Sequence, residues 1–384
     1  MGALSALGCG IAATSSGLFA AQPPLPLPPR RVETALKLPV FEISSFAGES
    51  GRAGGVTISL LESALAEALD AAQLTGDMLA GRRVGVAIGT TVACQLNDIP
   101  FYARLREGNR PDEQVFRNYV DFSPAEYLRR KFRLKGPALT VSNACTSGAD
   151  AIGIGGMWIA SGQCDIVIAG GADELNRVPL DGFNALGVCS QFPCAPFDAG
   201  RAGLNLGEGA GVVVLETLES AARRGVKPRF TLRGFGKRAD AFHITQPHPE
   251  GRELENAIRL ALRGLPPEEI GFVNAHGTGT LVNDRVEGAV LNRVFGPELK
   301  FMSTKAVTGH TLGAAGALEF IFCCLMLEAG MAARSHRFQR LPEDIPLAPL
   351  RENCAVASRW ALSTSLAFGG SNTALLVARE GGEE

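Results

Sequence analysis

Short apolar runs that alternate with helical stretches place this 384-residue chain among α/β proteins with parallel sheet. Its 46 glycines exceed the usual share of about 7%. They show no collagen-like period, so they suit many tight strand-to-helix turns. Each half also carries one apolar helix rich in small residues, Cys145 to Gly162 and Gly313 to Glu328. That symmetry predicts a duplicated α/β unit, although no direct repeat is visible in the sequence. The length exceeds one ordinary domain, and the expected halves are residues 1–220 and 221–384.

The elements follow in order. Gln22 to Arg31 is Pro-rich and reads as an extended surface loop. Thr57 to Leu74 has helical periodicity, and Arg83 to Gly89 is a short apolar run between glycines, a buried strand. Asn97 to Arg130 is richer in charge and aromatics and reads as an insertion or cap. Ala138 to Ser142 is a strand, and the helix from Cys145 that follows is almost free of charge except for Asp150. A helix apolar on all sides belongs in a core. Asp165 to Gly170 and Gly211 to Leu215 are further strands. After about residue 220 the rhythm restarts, with strands at Arg229 to Gly234, Ile270 to Asn274 and Lys300 to Met302. Helices are expected at Glu253 to Leu262, Asp284 to Phe295 and Gly313 to Glu328. Ala361 to Ser365 and Thr373 to Val377 are strands joined by a Gly-rich turn.

Charge and cysteine usage exclude several classes. The net charge of −2 does not indicate a nucleic-acid-binding surface. The nine cysteines lie mostly in apolar runs, and no paired Cys-x-x-Cys motifs suggest zinc. They read as free thiols in a reducing compartment. Met1 to Gln22 is apolar but lacks the positive start of a secretory signal, its first charge being Arg30. The apolar stretch Gly313 to Ala333 is interrupted by Glu319 and Glu328, which favours a buried helix over a membrane span. A soluble, cytoplasmic protein is expected.

Three fragments carry chemistry. Cys145 lies in Asn-Ala-Cys-Thr-Ser-Gly, between a strand and a helix start. A helix N-terminus favours negative charge and lowers a thiol pKa, and the Cys145 N–H offers an oxyanion donor. Taken alone, Cys145 reads equally as a small buried cysteine in a tight turn. His276 lies in Asn-Ala-His-Gly-Thr-Gly-Thr, and either acts or merely bonds backbone. His310 ends Ser-Thr-Lys-Ala-Val-Thr-Gly-His, five residues after Lys305. The Gly-Thr-Gly-Thr run lacks the spacing of a phosphate loop. Phe368, in Leu-Ala-Phe-Gly-Gly-Ser-Asn, sits where a flexible turn could swing an aromatic ring or aim an N–H. Asp198, Arg201 and Glu208, in a long Gly-rich stretch, read as a structural charge network.

In this order the fragments closely resemble the β-ketoacyl-ACP synthases, the condensing enzymes of the thiolase superfamily. The resemblance spans essentially the whole chain. It implies a duplicated five-layer α/β/α/β/α fold, usually dimeric, with the nucleophile and cap in the first half and the catalytic histidines in the second. The second histidine, His310, resembles the elongating Cys-His-His synthases. By that resemblance Cys145 takes an acyl chain from the phosphopantetheine arm of acyl carrier protein. His276 and His310 then stabilise the enolate formed as malonyl thioester loses carbon dioxide. Lys305 orients His310 and tunes local charge with Glu319. Phe368 is a gate, and its N–H joins that of Cys145 as oxyanion donor. Thr278 and Thr280 contact the arm, and Phe183, Cys189 and Gly369 belong to the substrate pocket. No metal and no cofactor is implied beyond the carrier's arm.

The expected reaction is a decarboxylative Claisen condensation in fatty acid or polyketide elongation. An alternative is the ketosynthase subunit of a specialised polyketide or aryl-polyene system with a chain-length-factor partner. A third is a silent acyl-binding subunit, against which the retained Cys145, His276, Lys305 and His310 argue. Partners are acyl carrier protein and a second subunit, identical or chain-length-factor-like; neither nucleic acid nor membrane is expected. Departures from the family pattern are a chain opening near the first strand, Ala202 after Arg201, Leu366-Ala367 before the gate, and Cys189 in place of a larger aliphatic residue.

Overall fold

Two mixed β-sheets organise the chain, and helices fill the space between and outside them. The fold is seen in a computed structural model that describes residues 1–44, 46, 55–91, 99–110, 112–113, 116–117 and 123–381. The first sheet contains β1 (Gly2–Ser5), β2 (Gly8–Cys9), β3 (Val84–Gly89), β4 (Ala138–Val141), β5 (Ile166–Asp173) and β6 (Gly209–Glu216). Their spatial order is β2-β1-β6-β5-β3-β4. The second contains β7 (Phe230–Ala239), β8 (Ile270–Asn274) and β9 (Phe301–Met302), then, after the small β10 (Met331–Ala332) and β11 (Cys354–Ala355) pair, β12 (Trp360–Ala367) and β13 (Ser371–Arg379). Its order is β7-β13-β12-β8-β9.

The two orders are one pattern used twice. Along β1-β6-β5-β3-β4 the pairings run antiparallel, antiparallel, parallel, parallel. Along β7-β13-β12-β8-β9 they run the same way. The expected duplicated unit is therefore present, but the sheets are mixed rather than parallel. Only three residues, Phe368 to Gly370, join β12 to β13. A link that short closes only an antiparallel pair, and an apolar run by itself does not say how its partner is directed.

The Ser147–Ala160 and Ala315–Ala329 helices lie between the sheets, each touching strands of both and each other. The Gly55–Ala71 helix covers the outer face of the first sheet on β1, β5 and β6, and the Arg252–Leu262 helix covers β7 and β13. The result is helix, sheet, helix pair, sheet, helix: five layers. The Leu312–Ala329 stretch is long and apolar enough to cross a membrane, yet 89% of it is buried inside the protein. The two inner helices approach through glycine. A Cβ on Gly316 would stand 2.7 Å from the Ala149 Cβ, and one on Gly148 would stand 2.6 Å from the Gly313 carbonyl oxygen. That closeness draws the nucleophile turn and the His310 loop together.

The signal-like N-terminal stretch forms β1, buried in the first sheet, and the Ile11–Leu18 helix. The insertion expected at Asn97 to Arg130 lies partly outside the described residues; its described parts include the Ile99–Arg106 and Pro124–Lys131 helices.

Candidate active site

Cys145, His276 and His310 come together in the wall of a cavity of about 360 Å³. Their sulfur and ring-nitrogen atoms lie within 4.8 Å of one another. Each arrives at the exit of a strand or loop that turns into helix, Cys145 from the first half of the chain and both histidines from the second.

Cys145 stands in the turn after β4, with Ala144 held at φ 48°. The helix begins at Ser147, so Cys145 precedes it by two residues rather than opening it. The expected lowering of its pKa does not occur. Burial pushes the thiol up to about 12, because a thiolate there loses its water. The Lys305 ammonium and the backbone N–H groups of Phe368 and of Cys145 itself oppose the rise without overcoming it. The group at rest is a thiol, and the N–H groups of Phe368 and Cys145 favour its charged form.

His276 sits between β8 and the Leu281–Phe295 helix. Two carboxylates from that helix grip its loop. Glu287 accepts from the N–H groups of His276 and Gly277, both at 2.8 Å, and from Thr364 Oγ1 at 2.7 Å. Asp284 accepts from the Phe197 N–H at 2.7 Å and from the Gly279 N–H at 3.1 Å. Burial raises both acids, Asp284 to about 6. Sequence reasoning passed over this pair. Its signal is two acids three residues apart at the start of a helix, directly after Gly-Thr-Gly-Thr, with no apolar spacing to explain them.

Lys305 is 1% exposed and corrects a second expectation. Its Nζ donates to the His276 carbonyl at 2.7 Å, lies 3.1 Å from His276 Nδ1, and pairs with Glu319. Among the described residues no hydrogen bond joins it to His310. It orients His276, because the loop places the His276 carbonyl and ring over the same ammonium. His310 is held by backbone instead. Its N–H donates to Asn205 O at 2.8 Å, its carbonyl accepts from Gly207 at 3.0 Å, and its Nδ1 accepts the Leu312 N–H at 3.1 Å. Asp173, raised to about 6 by burial, anchors the next turn through the Gly313 N–H at 2.6 Å.

These contacts fix the imidazole tautomers. An ammonium has no acceptor, so His276 Nδ1 accepts and Nε2 carries the hydrogen. His310 Nδ1 accepts from an amide, with the same consequence. Burial and the Lys305 charge push both pKa values well below 6.5, so both rings are neutral. They stand nearly perpendicular, with centroids 5.3 Å apart. Each has one N–H left to donate. The spacing of the sulfur and two imidazoles would suit a tetrahedral metal, but a metal at either Nε2 needs the hydrogen on Nδ1, facing a donor. The donor set does not fit one.

Phe183, Thr278 and Thr280 line the cavity. Phe183 stacks on Phe368, with centroids 5.4 Å apart, and meets the His310 ring edge-on at 6.2 Å. The Gly369 N–H donates to Ile244 O at 2.7 Å, which ties down the hairpin behind Phe368. Cys189 and Gly369 are not in the cavity wall. Cys189 packs into a leucine-rich cluster with Leu180, Leu204 and Leu312, and Gly369 serves the turn. Asp198 and Arg201 are joined, Arg201 Nη1 donating to the Asp198 carbonyl at 3.1 Å, whereas among the described residues Glu208 bonds elsewhere. Asp198 caps the N–H groups of Gln339 and Arg340, Arg201 pairs with Asp344, and Glu208 pairs with Arg31.

The family model of the β-ketoacyl synthase N-terminal domain matches residues 51–221, and that of the C-terminal domain matches residues 229–339. The tetracenomycin polyketide synthase ketoacyl synthase alpha subunit of Streptomyces glaucescens is 36% identical over 321 residues, covering 77% of this chain and 75% of its own. The chain belongs to the β-ketoacyl synthase family. Among solved β-ketoacyl synthase relatives, the ishigamide ketosynthase/chain length factor superposes with a TM-score of 0.89 at 30% identity, covering 99% of this chain and 98% of that one. A ketosynthase from Xenorhabdus doucetiae, solved in complex with its chain length factor, gives 0.84 at 30% identity, with coverages of 98% and 96%.

Proposed function

We propose that this β-ketoacyl synthase condenses an acyl group held on Cys145 with a malonyl thioester, both delivered on the phosphopantetheine arm of a carrier protein. The observation that carries the reading is a buried thiol facing two neutral imidazoles, each with an N–H to donate. Neutral donors in a dry site suit an enolate better than they suit deprotonation of Cys145.

The steps balance without a redox cofactor or metal. The Cys145 sulfur attacks the acyl thioester carbonyl, the carbonyl carbon–carrier sulfur bond breaks, and the thiol proton passes to the departing carrier thiol. The carrier is exchanged for a malonyl carrier. Its carbon–carboxylate bond breaks, carbon dioxide leaves, and the electron pair forms an enolate whose oxygen accepts from the His276 and His310 Nε2–H groups. The enolate carbon attacks the acyl-Cys145 carbonyl, whose oxygen is held by the N–H groups of Cys145 and Phe368. The carbonyl carbon–Cys145 sulfur bond then breaks, and the thiolate released takes one proton from water, which restores the thiol. Thr278 and Thr280, joined at 2.8 Å between hydroxyls, are the wall against which the arm lies. Phe368, stacked on Phe183, gates the space above the sulfur.

A polyketide-type role with a chain-length-factor-like partner is favoured over primary fatty acid elongation. One relative is named as an alpha subunit, and two solved relatives are named together with chain length factors. The chain divides into functional halves near residue 220, the nucleophile before it and the imidazoles after it, and works in the cytoplasm.

Intact-mass analysis after incubation with acyl carrier thioesters tests the reading. An adduct is expected on the unaltered chain and not on Cys145→Ala. His310→Ala should lose carbon dioxide release from malonyl carrier more than it loses adduct formation. Absence of any Cys145-dependent adduct, with and without a chain-length-factor subunit, overturns the reading.

A further inference from the structure

The two N–H groups that favour negative charge at the Cys145 sulfur, those of Cys145 and Phe368, come from separate elements, the nucleophile turn and the β12–β13 hairpin. A buried carboxylate, Asp150, bonds to both. It sits one turn into the Ser147–Ala160 helix and is 1% exposed. Towards the nucleophile turn, its Oδ2 accepts from Asn143 Nδ2 at 2.7 Å and from Thr146 Oγ1 at 3.0 Å, the residues that flank Ala144 and Cys145. Towards the hairpin, its Oδ1 accepts from Thr373 Oγ1 at 2.6 Å. Ser371, next after the Gly369-Gly370 turn, closes the cluster through 2.9 Å to Asn143 Nδ2 and 3.2 Å to Thr146 Oγ1. Lys237 of β7 supplies the counter-charge, pairing with Asp150 and reaching Ser371 Oγ at 3.4 Å.

We infer that Asp150 is a positioning residue for acyl transfer. By holding the Cys145 turn and the Phe368 hairpin on one carboxylate, it sets where the two oxyanion donors stand around the sulfur. This rests on the roles proposed above for Cys145 and Phe368. The enolate donors, His276 and His310, are held by other groups: Lys305, Glu287, Leu312 N–H and Asp173. Asp150 therefore governs one half-reaction and leaves the other alone. An oxyanion donor displaced by about 1 Å costs on the order of a hundredfold in rate, so a loosened hairpin is visible in kinetics without unfolding the protein.

Asp150→Asn is the test, because asparagine keeps the shape but has one acceptor oxygen for four donors. The rate of acyl-Cys145 formation should fall at least about tenfold, in kcat rather than KM. Carbon dioxide release from malonyl carrier protein, measured without an acyl donor, should stay near that of the unaltered chain. Thr373→Val removes only the hairpin bond and should give the same split more weakly; it carries the test if Asp150→Asn does not fold. Equal loss of both half-reactions, or unchanged acylation in a folded variant, overturns the inference. The unaltered chain is run beside them. If it forms its Cys145 adduct, a negative result falls on Asp150 alone; if it forms none, the functional reading fails and this inference with it.

Discussion

His276 and His310 owe their proposed role to what touches their Nδ1 atoms. Lys305 and the Leu312 amide each supply a donor there, so each ring keeps its hydrogen on Nε2 and its neutral form. Because the folded pKa values lie well below 6.5, the donors stay neutral as pH falls through the range where an ordinary histidine charges. Release of carbon dioxide from malonyl carrier protein, followed from pH 8 to pH 5, should show no half-loss at about 6.5. A midpoint there would mean the rings titrate freely and the tautomer argument fails. Folding is to be monitored alongside. The unfolded chain takes up those histidine protons first, so their contribution to stability declines as pH drops below that value. The sequence shows the histidines, their glycines and their order. It does not show which nitrogen is protonated, because that depends on an amide and a lysine brought in by the fold. The same holds for Cys145, whose helix-start position suggests an acidic thiol until its burial is known.

Strand and helix positions were legible to within a few residues wherever periodicity ran long. Ile270–Asn274 is a strand over the expected residues, and Arg252–Leu262 and Ala315–Ala329 begin or end close to expectation. β7 is longer than its apolar run because it pairs along the whole of β13, a partner no local pattern discloses. Asp284 and Glu287 escaped for a similar reason: on a helix surface they would be solvated charges, and only the fold makes them acceptors for the His276 loop. The two inner helices meet through glycine, with no room for a side chain at Gly316. Gly316→Val places carbon where Ala149 backbone and Ser365 Oγ already stand. Overpacking of this kind costs about 1–3 kcal/mol or more. A lowered thermal midpoint, with impaired Cys145 acylation from displacement of the nucleophile turn, is expected. A midpoint equal to that of the unaltered chain would show that the helices can part freely.

Over the whole molecule, each half contributes one almost uncharged inner helix that touches both sheets, Ala315–Ala329 buried along nearly all its length and Ser147–Ala160 along its first half. Neither helix has a polar face to show to water, so the halves depend on each other. Calorimetry should record one unfolding transition, and residues 1–220 and 221–384 expressed apart should not remain folded and soluble. Two resolved transitions would contradict that dependence. The family was readable from the motifs because chemistry fixes their residues and order, whereas the chain-length preference was not, because walls drawn from several loops set it. The backbone contact between Gly148 and Gly313 bears on that preference. Three residues past Cys145 and three past His310, main chain rests on main chain, and no smaller residue exists to substitute there. Any variant selected to accept bulkier substrates must gain its space from side chains that line the cavity, such as Phe183, Leu186 or Val188. Libraries that mutate Gly148 or Gly313 should return inactive protein rather than new specificities.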